Sequence, residues 1–525
     1  MSNKNREFSN KISEISCSCC GQHDHGSNEI NRRKFIKVAG ATTLGAVTLS
    51  GLSWASLASE QNWENAGIQR QSLVVKPVFI YSTPKRREQG SWRSWGGIQT
   101  EQDASQEITR IQSELKGLRT QAEFPVEFLP VARVRNIRDL NGIQDKVSSD
   151  VFLVYAAGGG MNIFNALQKM GKDMIFFMRH KSGPVYLWYE IISPRYLRQN
   201  TDKLAVTGVD DEDMVIDSQK ELLWRLRALC GLKNTLNTRI IAIGGPGAWA
   251  QPKGVVPGLI EEKFKFNIIS VSYEELGKLI KEARADNSTV DRTRKRADKY
   301  LQDSGISLET KRKFVDNAFI LDEIFWKIMD KANCRAITIN GCMGTIMPLA
   351  ETSACLALSL LNDAGYLAFC ESDFVLIPSG VLLANTSGKP VFMNDPTYPH
   401  DGIITLAHCT APRRMDGKKL EPARILTHFE SDYGAAPKVE MTIGQTVTNI
   451  IPNFGVDQYK GLLGKIKDNP FMDICRSQID ISYDCDNKTL AENMPGFHWI
   501  TGYGDFHREI GYALKRVGIK WDLLT

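Results

Sequence analysis

The sequence predicts an α/β protein in which two regions of parallel layering are followed by a smaller, antiparallel β-rich region. Short apolar runs rich in β-forming residues alternate with helical spacings as far as residue 395, which is typical of parallel sheets covered by helices. Beyond that point the strands become short and alternating, which favours an antiparallel domain. At 525 residues the chain is too long for one core, so two or three domains are expected.

The amino terminus has the features of an export signal. Arg32 and Arg33 precede a moderately apolar stretch, residues 38–57, that is rich in Gly, Ser, Thr and Ala. This pattern resembles a twin-arginine signal, which exports proteins already folded. We therefore expect residues 1–58 to be a signal cleaved near Ala58 and the mature protein to be periplasmic. The stretch is too polar for a stable membrane span, and an uncleaved anchor is the lesser alternative.

Residues 59–235 are expected to form the first α/β domain, and residues 236–395 the second. Strands are predicted over residues 74–81, 151–155, 174–178, 239–243, 267–271 and 336–340. Helices are predicted over residues 106–121, 162–170, 218–229 and 348–361, with a long charged helical region over 291–332 that we interpret as a solvated face. Residues 396–525 are expected to form the β-rich domain, which ends in a helix over 506–516.

Glycine-rich turns follow two of the predicted strands, at residues 158–160 and 244–247. A nucleotide-binding loop would also follow a strand in this way. Neither turn gives the G-x-G-x-x-G or G-x-x-x-x-G-K-[ST] pattern, so phosphate binding has weak support. Tight strand-to-helix turns require glycines in any case.

The charge balance favours a small, neutral partner. The formal net charge of the whole chain is only +5. Such a balance gives no reason to expect nucleic acid as a partner.

The eleven cysteines do not form a recognisable framework. A cluster near the amino terminus could bind a metal, although a second half at zinc-site spacing is missing; it contains Cys17, Cys19, Cys20, His23 and His25. The other eight cysteines are scattered, several of them in apolar runs where a free thiol acts as a small hydrophobe. The absence of paired cysteines argues against a thiolate zinc site.

Four side chains carry the candidate chemistry. Glu371, Asp395 and His408 each end a short apolar run, which is where ligands bind in an open α/β sheet. Capping of a turn or helix is the structural alternative for any one of them. Together with His498 they offer carboxylate and imidazole ligands suited to Mn²⁺ or Mg²⁺. Such an ion can chelate two adjacent sugar oxygens and stabilise an enediolate while a carboxylate moves the proton.

The part of the chain from about residue 340 to the end resembles the L-fucose isomerase-like family. This family includes the L-fucose/D-arabinose isomerases, with the L-arabinose isomerases as more distant relatives. The resemblance is carried by four segments: Glu371-Ser-Asp373, Gly-Lys-Pro-Val-Phe-Met-Asn-Asp395, Ala-His408-Cys and His498-Trp-Ile-Thr-Gly-Tyr-Gly-Asp505.

The resemblance implies two Rossmann-like domains followed by a smaller β-rich domain. It also implies a Mn²⁺-type ion held by Glu371, Asp395 and His498. The two carboxylates would double as the acid/base pair for aldose–ketose interconversion, and His408 would line the substrate site. Family members are typically trimers or hexamers whose neighbours complete each pocket. The loop that contains Trp92 and Arg93 is therefore expected to contact the sugar in an adjacent subunit.

Two alternatives remain open from the sequence. The first keeps the same metal site but makes the protein an exported epimerase or lyase acting on a modified sugar. The second is a non-catalytic periplasmic sugar-binding protein, since two Rossmann-like lobes around a cleft also describe such binders. A binder needs aromatic stacking and neutral hydrogen-bonding groups and does not need two acids and two histidines at strand ends, so the enzyme is favoured.

Overall fold

The computed structural model describes residues 47–49, 51–57, 67–158, 160–186 and 191–525. The twin arginines, the Cys17 to His25 cluster and the expected cleavage point at Ala58 lie outside the described residues. Within them, two parallel sheets are covered by helices, and an antiparallel region near the carboxyl terminus closes into a barrel. The predicted fold class, two parallel α/β units followed by a barrel-like β-rich region, is confirmed.

The described part of the chain begins with an edge strand of the second sheet. Strand β1 (Val47–Thr48) pairs in parallel with the strand at Asn267–Val271, and a 3-10 turn follows at Trp54–Leu57. The Trp54 backbone N–H donates a hydrogen bond to Oε2 of Glu282 at 2.7 Å. Part of the stretch that we assign to the export signal therefore packs against the second α/β unit.

The first sheet consists of parallel strands. Its strands are β2 (Leu73–Ile80), β3 (Val126–Phe128), β4 (Ala132–Val134), β5 (Val151–Ala156), β6 (Asp173–Met178) and β7 (Met214–Ile216). Their spatial order is β3-β2-β5-β6-β7, and β4 also pairs with β2. Every residue of the central strand β5 is buried, as expected when helices cover both faces of a sheet.

The helical segments of this unit are α1 (Glu101–Gln121), α2 (Ile137–Asn141), α3 (Met161–Gln168), a π-helical segment (Ile191–Leu197), a 3-10 turn (Asp211–Asp213) and α4 (Gln219–Thr235). Three helices of this unit, α1, α3 and α4, overlap the helices that the sequence predicts, and the other three helical segments were not predicted. Helix α1 starts with a capping box, in which the side chains of Thr100 and Asp103 each accept a hydrogen bond from the other residue's backbone N–H.

The second sheet is also parallel. Besides β1, its strands are β8 (Arg239–Ile243), β9 (Asn267–Val271), β11 (Ala336–Ile339) and β12 (Leu367–Phe369). Their spatial order is β1-β9-β8-β11-β12. Strand β10 (Ile306–Leu308) lies outside this sheet. The helices are α5 (Val256–Phe264), α6 (Tyr273–Ala285), α7 (Asn287–Leu301), α8 (Arg312–Lys331), α9 (Met347–Ala350), α10 (Cys355–Asp363) and α11 (Ile377–Ser387).

The prediction of one continuous helical region over residues 291–332 is wrong. Strand β10 separates α7 from α8, because the turn-forming residues Asp303, Ser304 and Gly305 interrupt the helical pattern. The Asp303 carboxylate accepts a hydrogen bond from the Gly305 N–H at 2.9 Å. Strand β10 then pairs in parallel with the strand at Ala423–His428, which joins the second unit to the β-rich region.

The helix predicted over residues 348–361 is also interrupted. A π-helical segment (Cys342–Ile346) leads into α9, and the chain turns at Glu351, which has a left-handed φ of +49°, before α10 begins. Among the described residues no single helix combines the length and apolar composition of a membrane span. The bent pair Cys342–Ala350 and Cys355–Asp363, at 88°, meets both criteria only when its two parts are taken together.

The β-rich region contains a barrel of six strands. Its strands are β13 (Phe392–Pro396), β14 (Ile403–His408), β17 (Thr446–Pro452), β18 (Gln458–Asp468), β19 (Ser477–Ser482) and β20 (Trp499–Tyr503). The spatial order is β17-β20-β13-β14-β19-β18, and pairing of β17 with β18 closes the barrel. The remaining elements are β15 (Ala423–His428), β16 (Tyr433–Val439), a 3-10 turn (Phe429–Ser431), α12 (Asn487–Glu492), α13 (His507–Arg516) and β21 (Lys520–Leu524).

Helix α11 fixes the separation between the second sheet and the barrel. A Cβ atom placed on Gly380 would lie 2.5 Å from the ring of Phe369 on β12 and 3.1 Å from Cδ1 of Ile500 on β20. The absence of a side chain at Gly380 therefore lets β12 and β20 approach the same helix closely. This contact matters because two candidate site residues, Glu371 and His498, flank those two strands.

Candidate metal site

Glu371 lies in a tight turn directly after β12, at the carboxyl end of the second sheet. Glu371 and Ser372 both adopt left-handed backbone conformations, with φ of +62° and +46°, which cost roughly 1–2 kcal/mol for each non-glycine residue. Two hydrogen bonds hold the turn: Ser372 N–H donates to Oγ1 of Thr338 at 3.1 Å, and Phe374 N–H donates to the Gly247 carbonyl at 3.2 Å. This strained turn directs the Glu371 carboxylate towards the barrel.

The strand register of the barrel gathers the other three side chains. Asp395 on β13 pairs with Ala407 on β14, which places it beside His408. On the opposite side, Asn394 pairs with Trp499 at the start of β20. Asp395 is therefore next to His498, one residue further along in that antiparallel ladder. Asp395, His408 and His498 thus meet at one end of the barrel, although Asp395 and His498 are 103 positions apart in the sequence.

The four side chains surround a small space. Nε2 of His498 lies 3.4 Å from Oε2 of Glu371 and 3.3 Å from Oδ1 of Asp395, and Nε2 of His408 lies 3.6 Å from Oε1 of Glu371. Within the described part of the chain, Oε2 of Glu371, Oδ1 of Asp395 and Nε2 of His498 are buried and make no hydrogen bond. Buried polar atoms without partners are costly, and the imidazole nitrogen lies within 3.4 Å of both carboxylate oxygens.

A divalent cation could contact these atoms. Ligands of a six-coordinate ion at about 2.1 Å lie about 3 Å apart when they are adjacent, close to the two separations between Nε2 of His498 and the carboxylate oxygens. Carboxylate oxygen and imidazole nitrogen are the donors that Mn²⁺ and Mg²⁺ sites use. The residues present therefore fit the ion that the sequence implies.

His498 is oriented by a carboxylate that our sequence analysis did not assign to the site. The Nδ1–H of His498 donates to Oδ2 of the buried Asp373 at 2.7 Å. Oδ1 of Asp373 accepts two backbone N–H groups, from Trp249 at 3.2 Å and Val375 at 3.1 Å. The lone pair on Nε2 of His498 is consequently turned towards Glu371 and Asp395. A carboxylate that fixes the tautomer of a metal-binding imidazole is a common feature of metal sites.

His408 is held in a similar way and is a further candidate ligand. Its Nδ1 lies 3.0 Å from Oγ1 of Thr410, which leaves Nε2 facing Glu371. Ligand atoms from Glu371, His408 and His498 all lie within 4.8 Å of one another. His408, which we expected to line the substrate pocket, is therefore as close to the candidate ion position as a ligand would be.

Burial and charge pairing shift the protonation of all four side chains. Burial alone would raise the pKa of Glu371, but the contacts with His408 and His498 lower it to about 2. Burial raises the pKa of Asp395. Burial opposes charge on the two imidazoles, yet Glu371 beside His408 and Asp395 beside His498 raise the pKa of both rings. Without a cation, imidazolium protons balance the carboxylates, and metal binding would displace those protons.

The two acidic side chains of the site are partly exposed, whereas the two imidazoles are buried. The side chain of Asp395 is 24% exposed and that of Glu371 is 14% exposed, whereas His498 is fully buried. A small molecule can therefore reach the two acids without reaching the ring behind them.

Two half-buried aromatic residues that sequence reasoning missed lie beside His498. Trp249 stacks on Phe497 with ring centroids 4.5 Å apart, and Phe497 packs edge-on against His498 at 4.7 Å. The glycine turn at residues 244–247 leads to Trp249, and the Gly247 carbonyl binds the chain just after Glu371. This turn therefore supports the backbone of the candidate site.

The structure does not bring Trp92 and Arg93 to these four residues. Both lie in the loop after β2, where the Arg93 guanidinium is 5.1 Å from the centre of the Trp92 ring. In the described ranges, neither residue has a hydrogen bond or ring contact with Glu371, Asp395, His408 or His498. The expectation that this loop contacts substrate therefore requires a neighbouring subunit.

Fold and site together define a class of protein: an α/β protein with a β-barrel, in which strand ends gather two carboxylates and two imidazoles around a space suited to a divalent ion. No protein-family model matches this sequence, and no curated protein matches it either. Function must consequently be argued from the site itself.

Asp373→Asn should weaken metal binding without unfolding the protein. An amide can present its N–H₂ group to His498, which would move the ring proton to Nε2 and block the ligand lone pair. Mn²⁺ affinity, measured by titration calorimetry, should fall about 10- to 100-fold. The exposed carboxylate in Asp401→Asn is the matched control and should bind Mn²⁺ as the unmodified protein does. Equal affinity in Asp373→Asn would contradict the orienting role.

Proposed function

We propose that this protein is a divalent-metal-dependent aldose–ketose isomerase of the L-fucose isomerase-like type. The observation that carries the proposal is the set of three buried ligand atoms without hydrogen-bond partners, on Glu371, Asp395 and His498, in which the imidazole nitrogen lies within 3.4 Å of both oxygens. The side chains of Glu371 and Asp395 are also partly exposed. A binding protein for a neutral sugar has no need of such a set.

In the proposed mechanism Glu371, Asp395 and His498 hold a Mn²⁺ or Mg²⁺ ion. When bound, the ion would polarise two adjacent oxygens of an open-chain sugar. Asp373 keeps the Nε2 lone pair of His498 directed at the site, as its 2.7 Å hydrogen bond indicates. His408, held by Thr410, stands beside Glu371 and contributes a further polar contact to substrate or ion.

The two carboxylates divide the proton transfers between them. We assign Glu371 as the base that accepts the proton from the carbon next to the carbonyl, and Asp395 as the acid that donates a proton to oxygen. In the metal-free site the imidazoles lower the pKa of Glu371 to about 2, and burial raises the pKa of Asp395. In the second half of the reaction Asp395 takes the proton of the adjacent hydroxyl while Glu371 returns the first proton to the neighbouring carbon, so both carboxyl groups recover their starting states.

The proposed partner is a neutral monosaccharide. The stacked pair Trp249 and Phe497 gives the site an apolar wall, and aromatic faces suit the C–H surface of a sugar ring. We also propose that the protein is periplasmic and acts as a homo-oligomer, a trimer or hexamer, in which the loop of Trp92 and Arg93 reaches a neighbouring site. The 71% exposure of Trp95 in that loop supports such a contact.

Metal removal and deuterium exchange test the proposal. The purified protein is treated with a chelator and then supplied with Mn²⁺, Mg²⁺ or neither, in D₂O with a panel of aldoses and ketoses. We expect NMR to detect deuterium at the carbon next to the carbonyl, and the isomeric sugar, only when a metal is present. Exchange without metal would contradict the mechanism.

The same experiment separates the alternatives. An epimerase or lyase would also exchange deuterium in a metal-dependent way but would yield an epimer or an elimination product. A sugar-binding protein would catalyse no deuterium incorporation into the sugar, with or without metal. Absence of exchange with every sugar, in protein that carries its metal, would overturn the isomerase proposal.

A further inference from the structure

A second group of metal-ligating side chains lies buried beside the candidate metal site. The ligand atoms of Cys355, Cys409 and His428 all lie within 4.8 Å of one another, and all three residues are buried. They come from three different elements, because Cys355 begins α10, Cys409 follows β14 and His428 ends β15. Nothing in the proposed isomerase mechanism uses this group.

Two further groups contact this cluster, a third thiol and a backbone N–H. Cys475 packs into the same small cluster, with Cys355 and Cys409, and its thiol contacts that of Cys409. The Arg476 backbone N–H donates to the sulfur of Cys409 at 3.4 Å. A buried imidazole therefore lies close to two sulfur atoms, and a third thiol, that of Cys475, contacts one of them.

We propose that Cys355, Cys409 and His428 form a second metal site, selective for a thiophilic d¹⁰ cation of the Zn²⁺ class, with Cys475 positioned as the fourth ligand. Tetrahedral ligands at Zn–S distances of about 2.3 Å are about 3.8 Å apart, which is compatible with the observed 4.8 Å limit. Sulfur donors prefer Zn²⁺ or Cu⁺, whereas the neighbouring carboxylates prefer Mn²⁺ or Mg²⁺. The protein would thus hold two different ions side by side.

The burial of the cluster indicates a structural ion. Structural zinc sites are closed by four protein ligands, whereas catalytic sites keep a position open to solvent or substrate. Cys409 directly follows His408, so an ion bound to Cys409 would anchor the end of β14 that presents His408 to Glu371. The second site would in this way hold the geometry of the first.

Metal binding must displace the protons of the thiols, so proton release should accompany it.

Cobalt substitution in the full-length, metal-stripped protein tests the inference. Co²⁺ bound to thiolates gives a sulfur-to-metal charge-transfer absorption that carboxylate and imidazole ligands do not give. We expect this band in the unmodified protein, its displacement by one equivalent of Zn²⁺, and release of protons into a weakly buffered dye solution. The band should be lost in Cys355→Ala and retained in Glu371→Gln, which separates this site from the isomerase site.

Matched variants keep the result interpretable. Cys334→Ala removes another buried thiol, whose sulfur contacts only the Ala336 carbonyl at 3.7 Å among its described hydrogen-bond partners, and should leave the band unchanged. If Cys355→Ala fails to fold, His428→Gln should bind Co²⁺ about tenfold or more weakly. No charge-transfer band in the unmodified protein, a full band in Cys355→Ala, or a disulfide between Cys355 and Cys409 in the intact mass would each overturn the inference.

Discussion

Replacing Glu371 by glutamine is expected to abolish isomerisation while leaving the protein folded. Among the described residues, Glu371 is the carboxylate that approaches both imidazoles, at 3.6 Å from His408 and 3.4 Å from His498. The amide keeps the shape of the side chain but removes the negative charge that would hold a cation and the base that would accept a proton. We expect weak Mn²⁺ binding and a fall in turnover of about 10²- to 10⁴-fold.

The measurement is metal content by elemental analysis together with the rate of deuterium exchange, at equal protein concentration. Glu492→Gln is the matched control, because Glu492 is an exposed carboxylate whose partner, Lys488, is also exposed. A circular dichroism melt verifies that both variants fold. Turnover in Glu371→Gln at the rate of the control would refute the role assigned to this residue.

Replacing Asp395 by asparagine should have the second largest effect. Asp395 approaches His498 at 3.3 Å and is the more exposed of the two acids, so it lies where a sugar would enter. Loss of its charge should weaken Mn²⁺ binding, and loss of its proton should slow turnover by about 10²- to 10⁴-fold. Excess Mn²⁺ should restore the bound metal but should not restore turnover, since the acid is still missing.

Comparison of Mn²⁺ binding with turnover separates these two roles of Asp395. Asp401→Asn, in the exposed turn before β14, serves again as the control. If excess Mn²⁺ restores full turnover to Asp395→Asn, the residue is a ligand only and another group supplies the proton. If neither binding nor turnover changes, Asp395 is outside the site and His408 takes its place as ligand.

The parallel sheets were predictable because buried parallel strands leave a strong local signal. The runs at Val151–Ala156 and Arg239–Ile243 are short, apolar and followed by glycine, and both are strands in the structure. The break between α7 and α8 was missed since helical charge spacing continues on both sides of Asp303. There a local turn, stabilised by pairing with a distant strand, overrides the helical pattern.

The site could be predicted only in part. Strand-end acids such as Glu371 and Asp395 are visible in the sequence because each follows an apolar run. The orienting role of Asp373 was not visible, since it depends on a hydrogen bond to His498, 125 positions away. The thiol cluster was missed for the same reason: Cys355 and Cys409 have no common local spacing, and only the packing of helix α10 against the β-rich region brings them together.

The most direct test of the central claim is anomalous diffraction at the manganese edge from crystals of Mn²⁺-loaded protein. We predict one strong peak per chain between Oε2 of Glu371, Oδ1 of Asp395 and Nε2 of His498. A peak elsewhere, or none while these three side chains bind only water, would contradict the claim that they share one ion.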